Sequence, residues 1–141
     1  MIILDTNVVS EVFKPAPDPA VRRWLGSRPQ GLYFLTAITK AELLFGLACM
    51  PDGKRKRDLA DVMWKFFKEK VPNPILTFDG SDAEQYADIS AARKRMGRRM
   101  GELDAQIAAI ARSRSYSVAT RDIQDFEECG IELINPWEFA A

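Results

Sequence analysis

The feature that most constrains the fold is a series of short apolar runs separated by longer segments with the apolar spacing of helices. We predict a strand at each of the runs 2–4, 32–35, 75–78 and 117–119, and a last short strand over 132–134. The segments between the runs are too long for hairpins, and crossovers of this length connect parallel strands. The chain is therefore predicted to form an α/β fold around a mostly parallel sheet of four or five strands.

The intervening segments locate the helices. We predict helices over about 20–26, 39–50, 57–70, 79–96 and 104–113. Asp79 or Ser81 is the predicted N-cap of the fourth helix, because such side chains accept bonds from free backbone N–H groups. Asp104 is predicted to open the last helix, where capping favours a carboxylate. A chain of 141 residues with this pattern is expected to form one domain, residues 1–141.

The chain contains no histidine and two cysteines, Cys49 and Cys129. A Ser-His-Asp triad, a Cys-His pair and histidine-ligated zinc are thereby excluded. Two cysteines are too few for a zinc cluster. Any chemistry must therefore come from carboxylates, hydroxyls, Lys or Arg, or from a metal ion held by oxygen atoms.

The 20 basic and 20 acidic residues cancel, but they are segregated along the chain. Residues 54–57 are all basic, as are five of the seven residues 93–99, and no basic residue follows Arg121. Two interpretations stay open. In the first, the basic segments form patches that bind a polyanion such as a nucleic acid. In the second, each basic segment is a solvated helix face or loop.

No targeting or membrane segment is predicted. Asp5 comes after only four residues, which leaves no room for a signal-peptide core. No apolar run approaches the roughly 18–20 residues that cross a bilayer. We expect a cytoplasmic protein with no membrane partner.

Four acidic residues are the candidates for a site. Asp5 and Asp122 follow predicted strands, and open parallel sheets bind ligands beyond the carboxyl ends of their strands. Glu42 lies on the apolar stripe of its helix, where a carboxylate is costly to bury unless it is paired or bound to a cation. Asp104 begins a helix of small residues. The alternatives are helix capping for the three aspartates and, for the glutamate, a stripe edge that reaches solvent.

Several carboxylates within a few ångströms of one another repel, so they must protonate or share a cation. With oxygen ligands only, that cation is a hard one such as Mg²⁺ or Mn²⁺. Such a site suits phosphodiester hydrolysis, because the ion lowers the pKa of a water and offsets charge in the transition state. A basic rim would hold a nucleic-acid backbone beside the acids.

Four segments carry a family resemblance, and they are MIILDTNVVSE, LTAITKAELLFGL, ELDAQIAAIARSRSYSVATRDIQDFE and INPWEF. In this order they resemble the PIN-domain ribonucleases, and specifically the FitB-like members of the VapC toxin family in type II toxin–antitoxin systems. The resemblance runs from residue 1 to about residue 139. It implies a single PIN domain with a three-layer α/β/α arrangement.

The resemblance implies a role for each candidate acid. Asp5, Glu42 and Asp104 match the three acids that surround one or two Mg²⁺ or Mn²⁺ ions in this family. Asp122 matches the fourth position of the FitB-like pattern, although many relatives keep that acid at the position of Asp125 instead. The family pattern also gives a supporting set of hydrogen-bonding side chains, Thr6, Asn7 and Thr120. Glu102, where relatives often have a small or polar residue, is expected at the surface.

The activity that the resemblance implies is hydrolysis of single-stranded or looped RNA by metal-activated water, leaving a 5′-phosphate and a 3′-hydroxyl. A tRNA or an rRNA loop is the expected substrate. The implied partners are a small VapB- or FitA-like antitoxin and a second copy of the chain in a homodimer.

Two other functions are weighed against this one. The chain is a non-catalytic subunit of a FitAB-like complex that binds operator DNA through its antitoxin, or it is a phosphatase resembling the haloacid dehalogenases. The phosphatase needs Asp-x-Asp after the first strand, and this chain has Asn7 at the second of those positions.

Overall fold

The computed structural model describes residues 1–140, so Ala141, the last residue of the predicted domain, lies outside the described residues. The strands are β1 (Ile2–Leu4), β2 (Tyr33–Phe34), β3 (Ser117–Ala119) and β4 (Leu133–Ile134). The helices are α1 (Thr6–Val12), α2 (Pro19–Gly26), α3 (Ala37–Ala48), α4 (Lys54–Lys65), α5 (Gly80–Arg95), α6 (Glu102–Arg114) and α7 (Ile123–Phe126). No helix within residues 1–140 has the length and apolar character to cross a bilayer.

The four strands form one sheet in the order β2-β1-β3-β4, and every neighbouring pair is parallel. In the centre of the sheet, Ile3 pairs with Val118 and Leu4 pairs with Ala119. The predicted parallel α/β sheet is therefore confirmed. Its two inner strands, β1 and β3, end side by side, which brings the residues that follow them to the same edge.

Alternate residues of β1 point to opposite faces of the sheet and build two cores. Ile2 and Leu4 pack on one side with buried residues of α1 to α4. Ile3 packs on the other side with the fully buried Ile107 and Ile110 of α6 and with Ile89 of α5. Each such side chain contributes about 1.5–3 kcal/mol of burial free energy. The result is the three-layer α/β/α arrangement that the family resemblance implied.

The strand predicted over residues 75–78 is wrong. Only Leu76 pairs with the sheet, through a single parallel bridge to Thr36. Pro74 has no N–H to donate to a ladder, and three residues after Leu76 the chain turns into the N-cap of α5. That cap is Asp79, as predicted, in a capping box with Asp82.

The helices begin within three residues of the predicted positions, and two of these differences change the placement of residues discussed above. The last long helix, α6, begins at Glu102 with Gly101 as its N-cap, so Asp104 is inside the first turn and does not open the helix. The helix predicted to begin at residue 57 starts at Lys54 and continues from Lys65 into a wider π-helical turn over Phe66–Lys70. Helix starts are hard to place where a glycine, without a capping side chain, precedes the first turn.

The basic segment 93–99 is not simply a solvated face. Arg93 is buried, and its guanidinium donates hydrogen bonds to the carbonyl oxygens of Arg98, Asp125 and Glu127. Arg98 forms an ion pair of 2.9 Å with Glu127. These contacts tie the end of α5 to the chain that follows Asp122. In segment 54–57 the lysines have acidic partners on the exposed surface.

Candidate active site

A pocket of about 410 Å³ contains all four predicted acids. Asp5 follows β1, and Asp122 follows β3 at the neighbouring strand end. Glu42 comes from the middle of α3, and Asp104 from the first turn of α6. Four segments that are far apart in the sequence thus bring a carboxylate to one place, at the edge of the sheet where parallel-strand folds bind ligands.

Asp5 is the most buried of these acids, with 6% of its surface exposed. It is the N-cap of α1, and its Oδ1 accepts a hydrogen bond of 2.8 Å from the backbone N–H of Thr6. Its Oδ2 accepts a bond of 2.8 Å from the hydroxyl of Thr120. Burial raises the pKa of Asp5 above its ordinary value, whereas these two hydrogen bonds act in the opposite direction. Capping and a place in the pocket are therefore compatible at this residue.

Glu42 is partly buried on the face of α3 that lies beside α1. Its Oε1 accepts a hydrogen bond of 2.8 Å from the hydroxyl of Thr6, which is also 3.0 Å from the hydroxyl of Thr39. The carboxylate of Glu42 is thus paired with a polar group of the protein. Such a pairing, or a bound cation, is what a carboxylate on the apolar stripe of this helix was expected to need. The bond fixes the side chain toward the pocket.

Asp104 has the largest electrostatic perturbation of the four acids. Burial, and then the charges of the acids around it, raise its pKa from 3.8 to about 6. The contributing acids are Asp5, Asp125, Glu42 and Asp122. Holding this group ionised near neutral pH costs free energy, which protonation or a bound cation would recover.

Asp122 lies in the pocket with its Oδ2 bonded to the amide Nδ2 of Asn7 at 3.0 Å. Its backbone N–H donates to the Thr120 hydroxyl at 3.1 Å. Asp122 and Asp125, the other candidate for the fourth acid, are both exposed, but only Asp122 is among the residues that line the pocket. The pocket lining therefore favours Asp122, although the charge of Asp125 contributes more than that of Asp122 to the raised pKa of Asp104. Glu102 is exposed, as expected.

The three side chains expected to support the acids each hydrogen-bond to one of them. Thr6 bonds to Glu42, Asn7 bonds to Asp122, and Thr120 bonds to Asp5. These predictions are confirmed at the level of hydrogen bonding.

Five further residues of the pocket had no predicted role: Ser10, Glu11, Lys14, Arg121 and Trp137. Glu11 is buried, and the hydrogen bond from the Lys14 ammonium, 2.9 Å long, is the largest of the interactions that lower its pKa. The spacing offered a signal for Glu11, because it follows Asn7 by four positions and so shares a face of α1. Trp137 reaches the pocket from far along the chain, which no local pattern reveals.

The donor set fits a hard divalent cation. The four acids offer only oxygen atoms, the ligands that Mg²⁺ and Mn²⁺ prefer. Within residues 1–140, no three acidic or thiol side chains are close enough to one another to hold an ion directly. The charges of the other acids nevertheless add to the effect of burial in raising the pKa of Asp104. The fit therefore rests on the chemistry and charge of the four acids.

Comparison with known proteins matches a family model for the PIN domain to residues 2–131. The chain is 43% identical to VapC ribonuclease Y4jK of Sinorhizobium fredii, over 98% of this chain and 99% of that protein. It is 39% identical to toxin FitB of Neisseria gonorrhoeae, over 97% of this chain and 99% of that protein.

Among solved structures, the fold is similar to a chain in a structure of FitAB bound to an IR36 DNA fragment. The TM-score is 0.93 and the identity 38%, with 100% of this chain and 99% of that chain covered. The similarity therefore extends over the whole domain and includes all four segments that form the pocket.

Proposed function

Because the chain belongs to the PIN-domain family, in the group of VapC ribonucleases and toxin FitB, we propose that it is a magnesium-dependent endoribonuclease toxin of a VapBC-type toxin–antitoxin system. The proposed reaction is hydrolysis of RNA phosphodiester bonds at the pocket that contains Asp5, Glu42, Asp104 and Asp122.

One observation carries the proposal. Four carboxylates from separate elements meet in one pocket, and burial together with the charges of the neighbouring acids raises the pKa of Asp104 to about 6. A cluster of four carboxylates does not stabilise the fold by itself, because like charges that are partly buried repel one another. A shared divalent cation explains why they are gathered.

The four acids would hold Mg²⁺, or Mn²⁺ in its place. The ion would activate the attacking water and offset the negative charge that the phosphate gains in the transition state. The protein's own contribution is orientation. Thr120 fixes the carboxylate of Asp5 and Thr6 fixes that of Glu42, each through a hydrogen bond of 2.8 Å. Fixed carboxylates lose less freedom when a ligand binds.

An antitoxin of the VapB or FitA type is the proposed partner. A groove beside the pocket shares Thr6, Ser10, Lys14 and Glu42 with it. The rest of the groove is lined mainly by apolar residues, Phe13, Leu43, Leu47, Leu59 and Met63 among them. Phe45 of α3, 71% exposed, adds apolar surface on the same helix. A small protein lying in this groove would cover the acids. Inhibition of RNA cleavage by the added antitoxin tests the partner, and light scattering tests the proposed homodimer.

A second function is favoured by one comparison. The FitAB relative was solved on DNA, so this chain would act as a non-catalytic subunit that pairs DNA-binding antitoxins. That role does not use the four acids. The non-catalytic role predicts that substitution of the four acids changes neither the growth of the host nor the cleavage of its RNA.

Brief induction of the chain in a bacterial host, followed by sequencing of RNA 5′ ends, separates the two functions. Wild type should arrest growth and create new 5′-phosphate ends, whereas Asp104→Asn should do neither. Asp61→Asn is the matched control, because Asp61 is an exposed residue of α4 outside the pocket. Equal arrest and equal cleavage by wild type and Asp104→Asn would contradict the nuclease proposal.

A further inference from the structure

The acidic pocket contains an arginine that lies over an aromatic ring and, within residues 1–140, forms no ion pair with the pocket acids. The guanidinium of Arg121 lies 5.2 Å from the centre of the Trp137 ring, and both residues line the pocket with the four acids. A cation–π contact of this kind attracts the guanidinium to the indole without using its N–H donors in hydrogen bonds.

The two cations of the pocket differ in their partners. Lys14 is bound to the buried carboxylate of Glu11 at 2.9 Å. In the part of the chain that the structure describes, no carboxylate forms an ion pair with Arg121, and no hydrogen bond from its guanidinium is present. The charge of Arg121 helps to lower the pKa of Glu11, but its guanidinium is in ion-pair contact with none of the acids and is therefore available to an anion from outside.

The backbone holds this pair next to the acids. The N–H of Arg121 points to Oδ1 of Asn7 at 3.4 Å, and the same Asn7 bonds to Asp122 through its amide nitrogen. The N–H of Trp137 donates to Oδ1 of Asn135 at 3.0 Å, which starts the short turn that presents the indole. The backbone of Arg121 is thus tied to the side chain that holds Asp122, and the backbone of Trp137 is tied to Asn135.

We propose that Arg121 binds a phosphate of the RNA backbone beside the phosphodiester that is cut, and that Trp137 is a positioning residue that orients the guanidinium. The proposal rests on the ribonuclease function proposed above. A guanidinium meets a phosphate through two parallel N–H···O bonds. It also gives the substrate an attractive contact in a pocket whose acids repel the RNA backbone.

The first test measures binding of a fluorescein-labelled single-stranded RNA of mixed sequence by anisotropy, in EDTA so that Mg²⁺ is removed. Arg121→Gln should weaken binding about tenfold and reduce the slope of log K against log salt by about 0.7, the value of one lost phosphate contact. Arg23→Gln, which removes an exposed arginine of α2, is the control and should change neither value. Equal affinities and slopes for the two variants would overturn the proposal.

Trp137 is tested by a double-mutant cycle, because it acts through Arg121. Trp137→Leu should weaken RNA binding in the wild-type background and have little further effect in Arg121→Gln. Trp137→Phe, which keeps an aromatic face, should recover most of the loss, and circular dichroism checks that the variants fold. An equal loss in both backgrounds would overturn the positioning role.

Cleavage with Mg²⁺ separates this proposal from the function on which it rests. We expect Arg121→Gln to raise KM more than it lowers kcat, because the phosphate contact exists in the bound substrate as well as in the transition state. Cleavage by wild type with unchanged KM in Arg121→Gln would refute the phosphate contact and leave the nuclease intact. RNA binding that depends on Arg121 without any cleavage would refute the nuclease alone, and a wild type that neither binds nor cleaves RNA would refute both.

Discussion

The hydroxyl of Thr120 donates a hydrogen bond of 2.8 Å to Oδ2 of Asp5, joining the chain after β3 to the chain after β1. The hydroxyl oxygen of Thr120 also accepts hydrogen bonds from the backbone N–H of Asp122 at 3.1 Å and from the side-chain amide of Asn7 at 3.3 Å. One fully buried hydroxyl therefore links two pocket acids and the side chain that supports one of them.

Thr120→Val should impair both activity and stability. The substitution keeps the shape but leaves Asp5 without its side-chain donor, so the pKa of Asp5 rises further and its carboxylate loses orientation. We expect the free energy of unfolding to fall by about 1–3 kcal/mol and kcat to fall at least about tenfold. Urea denaturation and steady-state RNA cleavage measure the two effects. Thr120→Ser keeps the hydroxyl and should retain most of both; comparable losses in Ser and Val would refute the role of the hydroxyl.

Removing the Asp104 charge should stabilise the metal-free protein at neutral pH. Since the folded-state pKa is about 6 against 3.8 for the ordinary group, the native state binds this proton more tightly than the unfolded chain. The stability contributed by that proton is present at low pH and is lost as pH rises through about 6.

In EDTA at about pH 7.5, Asp104→Asn should therefore unfold at higher urea than wild type, with a gain on the order of 1 kcal/mol after allowance for partial exposure. The gain should vanish below about pH 4, where wild type is protonated as well. Asp61→Asn is the control on the exposed surface of α4. A gain that is the same at both pH values would show that charge is not its cause.

Asp122 and Asp125 should differ in their effect on cleavage. Both side chains are exposed, but Asp122 lines the pocket and is held by Asn7, whereas Asp125 is not part of the pocket lining. We expect Asp122→Asn to lower kcat at least about a hundredfold and Asp125→Asn to lower it less than about tenfold. Both substitutions remove one charge from the same short segment, so each is the control for the other. A larger loss of kcat in Asp125→Asn than in Asp122→Asn would instead identify Asp125 as the fourth acid of the site.

Arg93→Met should destabilise the fold. The buried guanidinium satisfies the carbonyl oxygens of Arg98, Asp125 and Glu127, which the thioether cannot bond. The expected loss is about 2–4 kcal/mol in urea denaturation. Lys94→Met removes a neighbouring exposed charge and should cost less than about 0.5 kcal/mol. Equal effects would mean that the buried hydrogen bonds contribute little.

The sheet and most helices were predictable because they depend on local periodicity. Ile3 and Val118 lie in short apolar runs, and such runs separated by helices have few solutions other than a parallel sheet. Residues 75–78 have the same apolar pattern but form one bridge, at Leu76. Whether a run joins the sheet depends on its backbone partners, which its own sequence does not specify.

The candidate acids were also predictable, three of them from their places after strands or at the start of a helix. The partners that the basic side chains find in the folded protein were not predictable. Arg93 stands in a run of basic residues, yet its side chain is buried against carbonyl oxygens from a segment more than thirty positions away. Trp137 reaches Arg121 in the same non-local way. Contacts of this kind follow from the assembled fold and leave no local pattern.

The central claim is that the four acids hold the divalent cation with which RNA is hydrolysed. The most direct measurement is Mn²⁺ titration and RNA cleavage on the same preparations of wild type, Asp61→Asn and the four pocket variants, Asp5→Asn, Glu42→Gln, Asp104→Asn and Asp122→Asn. Wild type and the control should bind Mn²⁺ and cleave, and each pocket variant should lose most of both. Cleavage that persists in EDTA, or that proceeds at the wild-type rate in the pocket variants, would contradict the claim.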